Sequence, residues 1–177
     1  MKILKETENS LVFEDDGVVT KNVQTRRGNF GKKYSPEELV DREMKALYLL
    51  KDMEGIQQIL ERIGNKSFTS VFINQEKITS VDQLDDEFFE KLRMLFEEME
   101  KRGVLKIGVN KDEVFVNQKY CTPEIVDFGA VLFLDEDPQW QIIFTKLFNR
   151  FKIWDLKKRF GQRVANSLCI EELEHQT

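Results

Sequence analysis

Val114-Phe115-Val116 and Ile125-Val126-Asp127-Phe128-Gly129 frame the stretch on which the fold turns. Two short β-favouring runs joined by residues 117–124 read as a hairpin, and the second run ends in an acid, an aromatic residue and a glycine. An Asp and a Gly at a strand end are ordinary turn chemistry, so the tripeptide carries little by itself. Its surroundings carry more. Upstream, the pattern from about Asp86 to Arg102 puts Phe88, Leu92, Leu95, Phe96 and Met99 on one helical face and stops at Gly103. The hairpin therefore follows a long core helix.

Further toward the N-terminus a second helix is well marked. Ser35 can cap it, Pro36 suits its first turn, and Glu38 stands three residues after Ser35 as in a capping box, so a helix is expected to about Lys51. Leu39, Glu43, Ala46, Leu47 and Leu50 recur on one face. A carboxylate inside that apolar stripe needs a cation beside it. Ahead of this helix, Ile3-Leu4, Leu11-Val12-Phe13 and Val18-Val19 read as three antiparallel strands, the last ending at Lys21, with Asp15-Asp16-Gly17 as a hairpin turn. Residues 25–34, TRRGNFGKKY, read as a mobile loop in which Arg26, Arg27, Lys32 and Lys33 are solvated or meet a phosphate or an acidic partner. After Gly55, Gln58-Ile59-Leu60 and Phe68 to Ile73 give two more strands around a Gly64-Asn65 turn. The sum is about five strands and one helix, then a mostly helical second half.

The chain has 177 residues and a formal charge of -5, which argues against a nucleic-acid coat, since such binding neutralises phosphates with Lys and Arg. Nucleic acid is not an expected partner. Cys121 and Cys169 show no CxxC spacing and no adjacent histidine, so neither a disulfide framework nor a zinc site is indicated, and a reducing cytoplasmic setting is expected. The opening MKILKE has no apolar signal-peptide region, and no apolar run is long enough to span a bilayer. His175, the single histidine, lies in the polar stretch EELEHQT. That leaves carboxylates, lysine or metal for any catalysis.

Strands ending in a lysine, a helix with an inward glutamate, more strands, a long helix, a small hairpin and then Asp-Phe-Gly resemble the protein-kinase fold. The REMKALYLLKDMEGI segment and the run from FGAVLFLDEDPQWQ to LKKRFG look more narrowly like the small bacterial lipopolysaccharide-core sugar kinases, which in turn resemble the RIO-type kinases. The resemblance spans roughly Leu4 to Phe160 and lacks the long helical subdomain of eukaryotic protein kinases. It implies an α+β, bilobal, protein-kinase-like fold with a reduced C-lobe, residues 1–78 forming the N-lobe and 79–177 the C-lobe. It also implies ATP and Mg²⁺ as cofactors. Lys21 would hold the α and β phosphates, Glu43 would fix Lys21 by an ion pair, and Asp127 would bind Mg²⁺.

Two departures bear on activity. An active kinase carries His-x-Asp-x-x-x-x-Asn after the long helix, and the matching stretch here is Lys106 to Glu113. Gly108 then stands where the catalytic Asp belongs, and Glu113 replaces the Asn, as a carboxylate still able to bind a hard cation. Asp112 or Asn110 would substitute for the base if the loop were shifted. The turn Glu6-Thr7-Glu8-Asn9 stands where active kinases place phosphate-cradling glycines, and its carboxylates repel a triphosphate. The expected reading is a catalytically impaired module that binds a nucleotide or a protein partner. The alternative is an active phosphotransferase acting on a lipopolysaccharide-core sugar or a protein hydroxyl. Finally, Trp140, Phe144, Leu147, Phe151 and Trp154 recur at helical spacing among Lys146, Arg150, Lys152, Lys157, Lys158 and Arg159. That stripe is expected to pack on its own domain, with a partner or peripheral contact with the inner surface of a membrane as alternatives.

Overall fold

The structure is a computed structural model, and it describes residues 1–24, 27–81 and 84–161. Cys169 and His175 lie outside the described residues, as does Arg26.

The N-terminal half is built on hairpins. Strands β1 (Lys2–Glu6), β2 (Ser10–Asp15) and β3 (Val18–Val23) pair antiparallel in sequence order. Asp16 and Gly17 both take positive φ between β2 and β3, the geometry of a tight two-residue turn. Strands β6 (Ile59–Arg62) and β7 (Ser67–Val71) complete a five-stranded sheet of order β1-β2-β3-β7-β6, which puts β3 and its Lys21 in the middle. Helix α1 (Pro36–Leu49) crosses this sheet. Its expected capping box is present, with Ser35 accepting from the Glu38 N–H and Glu38 accepting from the Ser35 N–H.

The segment expected as a mobile loop is partly a hairpin. Strands β4 (Arg27–Asn29) and β5 (Lys32–Tyr34) pair across Phe30 and Gly31, both at positive φ. Glycine content signalled the turn, but Tyr34 supplies an anchor that the basic composition hid: it is buried, and both Lys32 and Arg42 lie over its ring.

In the second half, α2 (Asp86–Lys101) is capped by Asp85 and buries Phe88, Phe89, Leu92, Phe96 and Met99. Strand β10 (Val114–Asn117) pairs with β11 (Thr122–Ile125) as expected, and with β8 (Glu76–Lys77) on its other side. A further pair, β9 (Val104–Lys106) with β12 (Val131–Phe133), escaped the sequence reading because each strand has only three residues, all of them buried. One apolar cluster joins the two halves, running from Leu47, Leu50 and Ile56 to Phe88, Met99, Val114, Ile125 and Phe128. Cys121 is buried and is not a free thiol, contrary to what its spacing suggested.

Helix α3 (Gln139–Phe160) reverses an expectation. Ile142, Thr145, Asn149, Ile153 and Leu156 face the core, whereas Trp140, Phe144, Leu147, Phe151 and Trp154 are exposed. The helix is apolar on two opposite faces, and the aromatic one is turned away from the domain. Among the described residues, no helix is long and apolar enough to cross a membrane.

Candidate functional site

A cleft of about 1120 Å³ lies between the five-stranded sheet and the β10–β11 hairpin, with Val12, Val19, Phe72, Phe115 and Val126 among its apolar walls and Lys21, Glu43, Lys106, Glu113 and Asp127 along its polar side. Each polar residue has a local reason for its position. Lys21 sits on the central strand, paired opposite Val12 and Phe68. Glu43 is turned inward by the register of α1 and is 3% exposed. Asp127 follows β11 and takes a left-handed φ of 64°, which aims its carboxylate back at the sheet.

These three expected residues meet. Lys21 Nζ donates to both Glu43 oxygens at 2.8 Å and to Asp127 Oδ1 at 2.7 Å. Glu43 Oε1 also accepts the Phe128 N–H at 3.0 Å, tying helix α1 to the Asp-Phe-Gly turn. Gly129 completes the arrangement by omission: a Cβ there would stand 3.2 Å from Asp127 Oδ1, 3.3 Å from Lys21 Nζ and 3.4 Å from Glu43 Oε2.

Two lysines that sequence reasoning passed over complete the charge balance. Lys5, on exposed strand β1, donates to Asp127 Oδ2 at 3.1 Å. Lys106, fully buried at the end of β9, donates to Glu113 Oε2 and to the Asp127 carbonyl, both at 2.7 Å. Glu113 therefore lies beside the Asp127 backbone, but its carboxylate is already engaged, with Asn110 Nδ2 donating to Oε1 at 2.9 Å. The signal for Lys106 was available, since a lysine closing the apolar run Val104-Leu105 needs an anion once buried. Lys5 gave none, because a lysine on an edge strand is ordinary surface chemistry.

The electrostatics follow from this packing. Burial alone would lower the Lys21 pKa, but Asp127 and Glu43 outweigh it and raise the value. Burial raises the Glu43 pKa, helped by Asp127 and opposed by Lys21. Lys21 holds Asp127 well below the ordinary carboxylate value against its burial, with Lys106 and Lys5 adding to the effect. Asp127 is therefore a committed anion.

The loop after β9 is held by its backbone. Gly108, at φ 75°, donates its N–H to Asn149 Oδ1 at 2.8 Å, and Asn149 Nδ2 returns a bond to the Lys106 carbonyl at 2.7 Å. The turn between β1 and β2 is likewise occupied: Thr7 Oγ1 accepts from the N–H groups of Asn9 and Ser10 at 3.3 and 3.1 Å. The cleft is bordered on that side by Ile3, Leu4 and Lys5 rather than by the turn.

Comparison with solved structures identifies the architecture. A Rio2 kinase from Chaetomium thermophilum is similar over 96% of this chain and 66% of its own, with a TM-score of 0.63 at 14% identity. The same enzyme in an ADP/Mg²⁺-phosphoaspartate complex gives 0.63 over 96% and 64% at 14% identity. A Cydia pomonella granulovirus kinase, PK-1, gives 0.55 at 14% identity over 75% of this chain and 51% of that one. This is a protein-kinase-like fold. It is α+β and bilobal, with a reduced C-terminal lobe, and it spans between half and two thirds of the length of those kinases. No protein-family model and no curated protein matches the sequence.

Proposed function

We propose that this chain is a catalytically impaired, nucleotide-binding kinase-like module. The observation that carries the proposal is Lys21 clamped between Glu43 and Asp127 beside an apolar-walled cleft of nucleotide size. In this reading Lys21 meets the phosphates, Glu43 fixes it, and the purine lies between Val19 and Phe115. The Rio2 complex with ADP and Mg²⁺ supports the same use of a similar fold.

Impairment is inferred from two features. Gly108 offers no side chain where the kinase pattern has its Asp, and its N–H is spent on Asn149. The β1–β2 turn directs its N–H groups into Thr7 rather than toward the cleft. A positioned base contributes roughly 10²- to 10⁴-fold, so its loss reduces transfer severely while leaving binding intact.

The donor set admits Mg²⁺ only by exchange. Asp127 presents one oxygen to Lys21 and the other to Lys5, and Glu113 is held by Lys106 and Asn110. Lys5 is the exposed member, with a half-exposed side chain, and is the group a cation on Asp127 would displace. When bound, the metal would supply charge neutralisation between the phosphates. Lys5 supplies part of that charge in its place.

Thermal-shift titration with ATP, with and without Mg²⁺, tests the reading, because a ligand bound only to the folded state raises apparent stability. A stabilising shift with no measurable phosphate transfer to sugar or protein hydroxyls is expected. No shift at millimolar ATP defeats nucleotide binding. Transfer abolished by Asp127→Ala and Lys21→Ala would instead establish the second reading, a Mg-ATP-dependent phosphotransferase, which the intact Lys21–Glu43–Asp127 cluster favours.

A further inference from the structure

The exposed face of α3 is a continuous apolar stripe. Trp140, Ile143, Phe144, Leu147, Phe151 and Trp154 are each between 51% and 60% exposed, and their spacing at 3.6 residues per turn puts them on one side of the helix. Phe30 extends the stripe at one end, packing edge-on against Trp140 and Phe144. An exposed apolar run of this length marks an interaction surface.

The order of residues along the stripe identifies its occupant. About Leu147 the sequence is nearly palindromic: Ile143 and Phe151 lie four residues to either side, and Trp140 and Trp154 seven. We propose that α3 pairs antiparallel with α3 of a second copy of this chain, on a two-fold axis through Leu147. Such an axis makes the contact isologous, each position meeting its mirror position in the other copy. Leu147 then meets Leu147 of the second copy, Trp140 meets Trp154 and Ile143 meets Phe151. Phe144 faces Arg150, a guanidinium-on-ring contact.

Charge favours one direction, although Glu136 also pairs with Lys45 and Arg159 with Asp155 within the chain. The acidic run Asp135-Glu136-Asp137 precedes the stripe and the basic run Lys157-Lys158-Arg159 closes it. Asp135, Glu136, Lys158 and Arg159 are exposed. Antiparallel pairing sets acidic end against basic end, and parallel pairing sets like against like. The helix dipoles oppose in the same sense. Taking half of roughly 200 Å² for each of four aromatic rings and about 100 Å² each for Ile143 and Leu147, the stripe hides about 600 Å² per copy. Two copies bury about 1,200 Å², the lower edge of the range for a specific, stable interface.

Sedimentation velocity on the chain tests the pairing, with circular dichroism to verify folding. The wild-type chain is expected to sediment as a dimer at tens of micromolar. Leu147→Glu brings two carboxylates together on the axis and should weaken the dimer by about thirtyfold or more, the effect of a central hot spot. Tyr48→Glu alters an equally exposed apolar residue elsewhere on the surface and should leave the dimer intact. Under mild oxidation, Leu147→Cys should cross-link to its own copy and Trp154→Cys should not. A monomeric wild type, a dimer indifferent to Leu147→Glu, or self-cross-linking at position 154 but not 147 overturns the proposal. So does a monomer that instead sediments with vesicles of phosphatidylserine through this face.

Discussion

Lys5 reaches from the first strand to Asp127, placing Nζ 3.1 Å from Oδ2. Lys21 occupies Oδ1 of the same carboxylate. With Lys106 on Glu113, three lysines face the three carboxylates Glu43, Glu113 and Asp127. This cluster is thus neutral within itself before a ligand arrives, so a phosphate reaching Lys21 must displace a carboxylate or draw on the other cations that line the cleft, among them Lys77, Lys111 and Lys152. Lys5 is the weakest hold, being half-exposed and screened by solvent.

Removing Lys5 should therefore change metal dependence more than stability. Lys5→Ala is expected to cost less than about 1 kcal/mol in urea unfolding, as exposed ion pairs do, while frees one oxygen of Asp127 for a cation. ATP titrations followed by thermal shift should show a larger difference between Mg²⁺ and EDTA in the variant than in the wild type. Equal differences would remove Lys5 from the account.

Lys106 behaves differently because it is buried. Lys106→Met keeps the length of the stem but leaves Glu113 Oε2 and the Asp127 carbonyl without their donor, and breaking one side of a buried pair costs about 3–5 kcal/mol. A drop of that size in urea unfolding is expected. The double variant Lys106→Met with Glu113→Gln should recover part of it, since no unpaired anion remains. Absence of recovery would mean that packing of the Lys106 stem, rather than its charge, holds the loop.

The pH dependence follows from Asp127. Its folded pKa is depressed below the ordinary value of 3.8, so its contribution to stability is fully present above that value and is lost as pH falls through the folded pKa. Asp127→Asn removes this term. The variant is expected to be less stable than the wild type at pH 7, by about 1–3 kcal/mol for a lost charged hydrogen bond, with the gap narrowing as the pH is lowered below 4. Urea midpoints measured at both pH values check it, and a gap that stays constant with pH would show that the loss at neutral pH is not electrostatic.

Much of this cleft was legible in the sequence, for identifiable reasons. Glu43 announced itself as an acid in an apolar stripe, and Ser35-Pro36-Glu38 fixed the helix that carries it, so the register that brings it to Lys21 followed from local rules. Lys5 was not legible, because its importance depends on Asp127, 122 residues away, whereas Lys106 left a signal in closing the apolar run Val104-Leu105. The exposure of α3 was hidden for a related reason. Periodicity shows that Trp140, Phe144, Leu147, Phe151 and Trp154 share a face, but Ile142, Ile153 and Leu156 share the opposite one, and sequence alone does not say which of two apolar faces meets the core. The β9–β12 pair was missed because three-residue strands carry too few positions to show alternation.

Gly55 gives a test of how the two halves are joined. It sits at φ 81°, its carbonyl accepts from the Ile125 N–H at 2.8 Å, and it approaches β11 so closely that a Cβ would stand 2.7 Å from the Pro123 carbonyl oxygen. The neighbouring Ile56 bridges to Ile125, just before the Asp-Phe-Gly turn. Gly55→Ala must therefore both strain the backbone and push β11 away from the sheet side of the cleft. Left-handed geometry alone costs a non-glycine residue about 1–2 kcal/mol, so a loss of at least that size is expected in urea unfolding. Gly64, also at positive φ but with open space around it, provides the comparison: Gly64→Ala should show the backbone cost without the steric one. If the two variants lose equal stability, the close approach at Pro123 contributes nothing to joining the halves.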